Sequence, residues 1–258
     1  MELGLKDKSV FITASSDGIG KSIAITFLEE GANVIINGRN ASKLKQAVLE
    51  LSEKYGDSRV YGVIGDMSKE EDIESAKEYV INQVGNLDIL IGNLGTGKPV
   101  SFNKLDMTEW YHMYEYNLFS AVRLIFKFEE ILKKQENANI VLLSSLAGYE
   151  KIGAPTAYAA AKNSIRTLVK YLADEHALYG IRVNGVAPGN VFYSGGRWEE
   201  LWNQDKEGIE TYIDGSVPMK RFGTPEEIAN TVVFLASDRA SFITGEVIKV
   251  DGGQSRVV

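Results

Sequence analysis

The chain has 258 residues, no cysteine and only two histidines, His112 and His176. Without cysteine there are no disulfides, no thiolate zinc sites and no cysteine nucleophile. Both histidines fall in helix-like segments and read as ordinary surface or core residues. A histidine triad or a His-rich metal site is therefore not expected, and no metal is assigned. No apolar run approaches the roughly 18 residues of a membrane-spanning helix. The opening "MELGLKDKSV" lacks the apolar centre of a signal peptide. No block of Lys or Arg offsets the net charge of −7, so nucleic acid is not an expected partner. The expectation is a soluble cytoplasmic protein with neither nucleic-acid nor membrane partners. No G-x-S-x-G elbow occurs, which sets aside a serine hydrolase on an α/β sheet.

What is present is regular. Apolar residues make up 44% and charged residues 24%, which allows a sizeable core and speaks against global disorder. Short apolar runs predict strands over 9–14, 33–38, 59–66, 87–92, 139–145, 182–187 and 246–251. Helical spacing between them predicts helices in "GKSIAITFLEEG" and over 41–54, 108–134, 156–179 and 225–236, with a charged helix after the third strand. Asn40 or Ser42 caps the helix over 41–54. The strands are continuous runs rather than alternating ones, so both faces are buried. Such alternation implies a doubly wound α/β fold of Rossmann type, with seven parallel strands and helices on both faces. No linker or repeat interrupts it, and one domain over 1–258 is expected. Ligands then bind beyond the C-terminal strand ends.

The first such end is "VFITASSDGIG", Val10 to Gly20. Gly18 and Gly20 allow close backbone approach at a helix N-terminus, where free N–H groups and the dipole favour an anion. Ser15 and Ser16 add hydroxyl donors. The spacing departs from G-x-G-x-x-G, and a plain strand–helix turn fits the stretch nearly as well. Ala14 stands where a tight glycine turn is usual, so the turn is expected to need no positive φ there. The second strand ends in "INGRN". Arg39 suits a 2′-phosphate, which favours NADP(H) over NAD(H), while Asp17 counts against it.

Further short motifs follow in order: "GNLG" with Asn93 and Gly95, "YEYNLFSA" with Asn117, Ser145, "YAAAK" with Tyr158 and Lys162, "RVNGVAPG" ending in Pro188–Gly189, and "FITGEVIKVDGG". With "TASSDGIG" they resemble the short-chain dehydrogenase/reductase family over nearly the whole chain, in its 3-oxoacyl-[acyl-carrier-protein] reductase-like branch. That family's turn reads T-G-x-x-x-G-x-G, so Ala14 replaces its first glycine. The resemblance implies a ketone/secondary-alcohol oxidoreductase. Its catalytic set here is Asn117, Ser145, Tyr158 and Lys162. Its cofactor contacts are Thr13, Ser15, Ser16, Gly18, Ile19, Gly20, Arg39, Asn40, Asp66, Met67, Asn93, Gly95, Tyr158, Lys162, Pro188, Gly189 and Val191. Asp66 and Met67 would flank the adenine, and Val191 the nicotinamide. Lys162 would hold the nicotinamide ribose and Asn117 a water relay.

The residue types suit that chemistry. Tyr158 and Lys162 are four apart and share a helix face. A nearby lysine cation, together with the positive nicotinamide of an oxidised cofactor, would favour the phenolate and lower the phenol's pKa, so Tyr158 is expected to be the acid/base. Ser145 would hydrogen-bond the substrate oxygen. One departure concerns the segment after Pro-Gly, where the family often has Thr and this chain has "PGNVFYSGG", with Phe192 and Tyr193. Residues 190–216 form an expected lid, with Gly195–Gly196 as hinge. Trp198 and Trp202 there either contact substrate or pack a helix on the body; spacing does not separate the two. Gly97, Lys98 and Arg197 are candidates for an anionic substrate group. Extra apolar surface on the helices over 108–134 and 156–179 suggests partner contacts, and the resemblance implies assembly through these helices, as a homotetramer. The substrate is a small-molecule carbonyl or alcohol: a 3-oxoacyl thioester, a sugar or polyol, or a small ketone. A non-catalytic nucleotide-binding protein on the same fold is the alternative class.

Overall fold

The computed structural model describes residues 2–98, 100, 103 and 106–257. Its strands are β1 Ser9–Ile12, β2 Asn33–Gly38, β3 Val60–Ile64, β4 Ile89–Gly92, β5 Asn139–Leu143, β6 Arg182–Pro188 and β7 Val247–Val250. All neighbouring pairs are parallel, in the order β3-β2-β1-β4-β5-β6-β7. The chain runs outward from β1 to β3, then crosses back so that β4 pairs with the other side of β1. The strand order reverses there, and the crevice at that point is the expected ligand position. Several strands stop short of their expected ends: β1 at Ile12, β3 at Ile64 and β5 at Leu143. The residues beyond, from Thr13, Gly65 and Ser144 onward, leave the sheet and line its C-terminal edge.

Period-two alternation divides the buried side chains between two cores. Val10, Ile12, Val34, Ile36, Ile89 and Ile91 share one core with Ile23, Phe27, Val232 and Val233. Phe11, Ile35, Leu90, Ile140 and Leu142 share the other with Ile73, Leu124, Phe128 and Ile165. The first core is covered by α1 Gly18–Glu29, α2 Ala41–Tyr55 and α9 Pro225–Ala236. The second lies under α3 Glu70–Gln83, α5 Ser120–Leu132 and α6 Thr156–His176. Each fully buried large side chain contributes about 1.5–3 kcal/mol. Phe11 and Phe128 stack with centroids 5.2 Å apart, pinning α5 to the middle of the sheet.

The helix expected over 108–134 is not continuous. α4, Met107–Tyr114, passes through a π-helical turn at Glu115–Phe119 into α5. Asn117 sits in that turn, and its side-chain amide donates to the Met113 carbonyl at 2.9 Å. A side chain inserted into the ladder in this way is an ordinary cause of a π-bulge. Between β6 and α9 lie α7 Arg197–Gln204 and α8 Lys206–Ser216, the segment expected to form a lid. No described helix is long and apolar enough to cross a membrane.

Candidate active site

The phosphate turn is built by asparagines from neighbouring strand ends. Asn37, buried at the end of β2, accepts from the Ala14 N–H at 3.0 Å. Asn93, just past β4, donates to the Ala14 carbonyl at 2.9 Å. Held on both sides, Ala14 adopts φ +49°. The expectation that this turn needs no positive φ is therefore overturned: the left-handed conformation is required, and alanine occupies it at a cost of roughly 1 kcal/mol. Gly20 is equally constrained, because a Cβ there would lie 2.4 Å from the Ala14 carbonyl oxygen.

Two expected hydroxyl contacts are used internally. Buried Ser15 donates to the Ile12 carbonyl at 2.6 Å and accepts from the Asn37 N–H at 2.9 Å. Thr13 donates to Ile91 and accepts from the N–H groups of Asn93 and Leu94. Both side chains cross-link strands, so their hydroxyls are engaged within the protein. Ser16 stays half-buried beside Gly38. The start of α1 retains the N-terminal N–H groups of Ile19 and Gly20, while that of Gly18 is taken by Asp17.

Asp17 caps α1, accepting from the Gly18 N–H at 2.8 Å, and lies 3.6 Å from Lys43 Nζ. Asn40, rather than Ser42, caps α2; its side-chain oxygen accepts from the Lys43 N–H and the Ser42 hydroxyl. Arg39 is exposed, with Nη1 3.4 Å from Asp66 and 3.5 Å from the Tyr116 hydroxyl. Burial alone would raise the Asp66 carboxyl. The Ser68 hydroxyl and N–H, Arg39 and Tyr116 outweigh that and hold it below the ordinary carboxylate range. Met67 turns fully into the core, so only its backbone can border a ligand. Pro188 ends β6, Gly189 donates to the Val250 carbonyl, and buried Val191 bridges to Gly223.

On the other side of the crevice, Ser145, Tyr158, Lys162 and Asn117 come together. Ser145 lies just beyond β5, where its hydroxyl accepts from the Ala147 N–H at 3.2 Å and acts on the Tyr158 phenol. Lys162 is 3% exposed; its ammonium donates to the Leu143 carbonyl at 2.8 Å and lies 5.9 Å from the Tyr158 ring centre. A Cβ on Gly95 would fall 2.8 Å from both Lys162 Nζ and Asn117 Oδ1, so only glycine fits there. Asn117 is locked to the backbone of Thr96, accepting from its N–H at 3.0 Å and donating to its carbonyl at 2.9 Å.

The protein's own groups do not supply the part of the expected Tyr158 lowering assigned to Lys162. Burial pushes the phenol up, only partly offset by the Ser145 hydrogen bond. Burial also lowers Lys162 to about 8, which thins the positive charge meant to stabilise a phenolate.

A family model described as enoyl-(acyl carrier protein) reductase matches residues 13–255. The chain belongs to the short-chain dehydrogenase/reductase family. It is 34% identical to the 3-oxoacyl-[acyl-carrier-protein] reductase FabG of Aquifex aeolicus, over 98% of this chain and 99% of that one. It is 32% identical to the 7alpha-hydroxysteroid dehydrogenase of Escherichia coli, over 97% and 95%. Among solved structures, L-sorbose reductase from Gluconobacter frateurii, complexed with NADPH and L-sorbose, superposes with a TM-score of 0.94 at 31% identity, each chain covered in full. The protein is thus an NAD(P)-dependent dehydrogenase/reductase of this family.

Sequence reasoning missed four members of the site: Asn37, Lys43, Thr96 and Tyr116. Asn37 had a signal, being a polar residue inside the apolar strand "NVIING". Tyr116 and Lys43 had none, since their partners lie on other elements. The lid aromatics mostly satisfy one another. Trp198 stacks on Tyr212 at 5.5 Å and meets Phe222 at 5.2 Å, while Trp202 meets Phe192 edge-on at 5.9 Å. The cations proposed for an anionic substrate group are both engaged by Glu200: Lys98 at 3.6 Å and Arg197 at 3.1 Å.

Proposed function

We propose that this protein interconverts a ketone and a secondary alcohol with NADP(H), in the manner of a 3-oxoacyl thioester reductase. The observation that carries the reading is the convergence of Ser145, Tyr158 and Lys162 at the end of β5, across the crevice from the α1 N-terminus. The glycine-lined start of α1 fits a dinucleotide's phosphates. Gly18, Ile19 and Gly20 would hold its phosphates, Asn93 and Gly95 its adenosine ribose side, and Lys162 its nicotinamide ribose. When bound, the nicotinamide supplies or accepts the hydride. Ser145 orients the substrate oxygen, and Tyr158 gives or takes the proton at that oxygen. Asn117, anchored to Thr96, supports the water path to Lys162.

Preference for NADP(H) rests on Arg39. Its guanidinium is exposed yet aimed by Asp66 and Tyr116. Asp17, the objection to a 2′-phosphate, is occupied by its capping bond and by Lys43. The test is a fluorescence titration with both dinucleotides. NADPH is expected to bind more tightly than NADH. Arg39→Ala should weaken NADPH by about 10–100-fold, the worth of a charge-assisted contact, and leave NADH unchanged. Equal or tighter NADH binding by the unaltered protein contradicts the preference.

A neutral sugar or polyol is the second reading. Glu200 neutralises both cations at the mouth, which favours an uncharged substrate over an anionic one. Exposed Phe119, Val122 and Phe126 on the α5 side and Tyr171 on α6 support assembly as a homotetramer. Cytoplasmic residence accords with this reading.

A further inference from the structure

Tyr193 bridges two parts of the crevice that share no strand or helix. A Cβ on Gly18, the first residue of α1, would lie 2.6 Å from Tyr193 Cε2 and 2.9 Å from Cζ. A Cβ on Gly196, in the lid, would lie 2.9 Å from Cζ and 3.0 Å from Cε1. The ring is therefore held between two glycines, one in the phosphate turn and one in the lid. Neither position admits a larger residue while the ring is there.

The chain around Tyr193 folds back to make this contact. The Gly196 N–H donates to the Tyr193 carbonyl at 3.1 Å, closing a tight turn. Gly195 takes φ +81° and donates its N–H to Glu199 at 2.7 Å, tying the turn to α7. A Cβ on Gly195 would lie 3.7 Å from Asp17 Oδ2. The arm from Tyr193 into α7 thus rests on the Asp17–Gly18 cap of α1. Asp17 and Glu200 stand near the phenol, and with burial they keep it protonated.

The N-terminus of α1 is where an anion gains most from free N–H groups and the helix dipole. A tyrosine ring returns neither charge nor acceptor oxygens along its edge. It is a weaker occupant of that position than a diphosphate.

We propose that Tyr193 is a latch: its ring docks on Gly18 in the free protein and leaves that place to the dinucleotide's diphosphate, swinging the 193–204 arm about Gly195–Gly196. The proposal rests on the dinucleotide-binding reading above. It makes lid opening and cofactor entry a single event. It also makes apparent affinity depend on the undocked fraction: if about nine-tenths of molecules are docked, removing the ring tightens binding about tenfold.

Hydrogen exchange by mass spectrometry and NADPH fluorescence titration, on the full chain, test this with Tyr193→Ala and Tyr193→Phe. In the free protein, Tyr193→Ala should exchange up to about tenfold faster across 193–204 and bind NADPH about tenfold more tightly. Tyr193→Phe keeps the ring and should match the unaltered protein in both. NADPH added to the unaltered protein should speed exchange at 193–196. Weaker NADPH binding by Tyr193→Ala would make the ring a ligand contact and overturn the latch. Unchanged exchange in the free variant, or slower exchange at 193–196 with NADPH, overturns it as well. If the unaltered protein binds neither NADPH nor NADH, the dinucleotide reading fails and displacement fails with it. The exchange rates of the free proteins then report the Tyr193–Gly18 contact separately.

Discussion

The floor of the crevice and the lid above it are held by different forces. The floor is a hydrogen-bonded lattice of buried side chains on backbone atoms. Thr13, Ser15, Asn37, Asn93, Asn117 and Lys162 each reach main-chain groups on another segment. The lid is held by rings and exposed charges: the cluster of Trp198, Tyr212, Phe222 and Phe192, the Lys98–Glu200 pair, and Tyr193 on Gly18. Buried groups with satisfied partners are costly to disturb, whereas exposed ion pairs contribute little. The floor is therefore expected to keep its geometry, and the segment over 190–216 to exchange partners more readily. A chemistry that needs fixed proton-transfer distances belongs on the first, and admission of ligands on the second.

The contrast breaks most visibly at Lys162. In the free protein its ammonium loses its proton near pH 8, while the unfolded chain holds that proton to about 10.4. The unfolded state thus binds more protons between these values, so stability rises with pH across that window. The gain is about 3 kcal/mol, and it is absent below pH 8. In Lys162→Met this rise should vanish, read from denaturant midpoints at pH 7.5 and 10. A slope unchanged by the substitution would mean that burial does not lower the Lys162 pKa.

A smaller effect is expected at Ala14. Glycine there removes the left-handed strain without touching the Asn37 and Asn93 anchors, and should raise stability by up to about 0.5 kcal/mol once its larger unfolded-chain entropy is subtracted. Thermal unfolding measures it, and a loss of stability would show the turn to be unstrained. On the lid, Tyr193→Ala should change local exchange, and Tyr193→Phe should not, with the global unfolding midpoint left in place by both.

Much of this was readable in the chain itself, for a physical reason. Strand ends carry their own punctuation, so "TASSDGIG", "GNLG" and the segment around Ser145 could be placed at one edge of a parallel sheet. Tyr158 and Lys162 share a helix face by spacing alone. What stayed hidden depends on distant partners. The φ of Ala14 is set by residues 23 and 79 positions away. The inward turn of Ser15 and Met67 follows from where β1 and β3 stop, two residues before their apolar runs end. The break in the helix over 108–134 comes from a side chain, Asn117, competing with the backbone. Nothing local to "VFYSGG" announces that its tyrosine lies against the first glycine of α1.

The central claim is that Tyr158, set between Ser145 and Lys162, moves the proton in a dinucleotide-dependent carbonyl reduction. Its most direct test is turnover of a ketone panel (3-oxoacyl thioesters, ketoses and small ketones) with NADPH, comparing the unaltered protein with Tyr158→Phe. The account predicts turnover of at least one class, a fall of roughly 10²–10⁴-fold in the variant, and NADPH affinity within about twofold of the original. Turnover unchanged in Tyr158→Phe would contradict it.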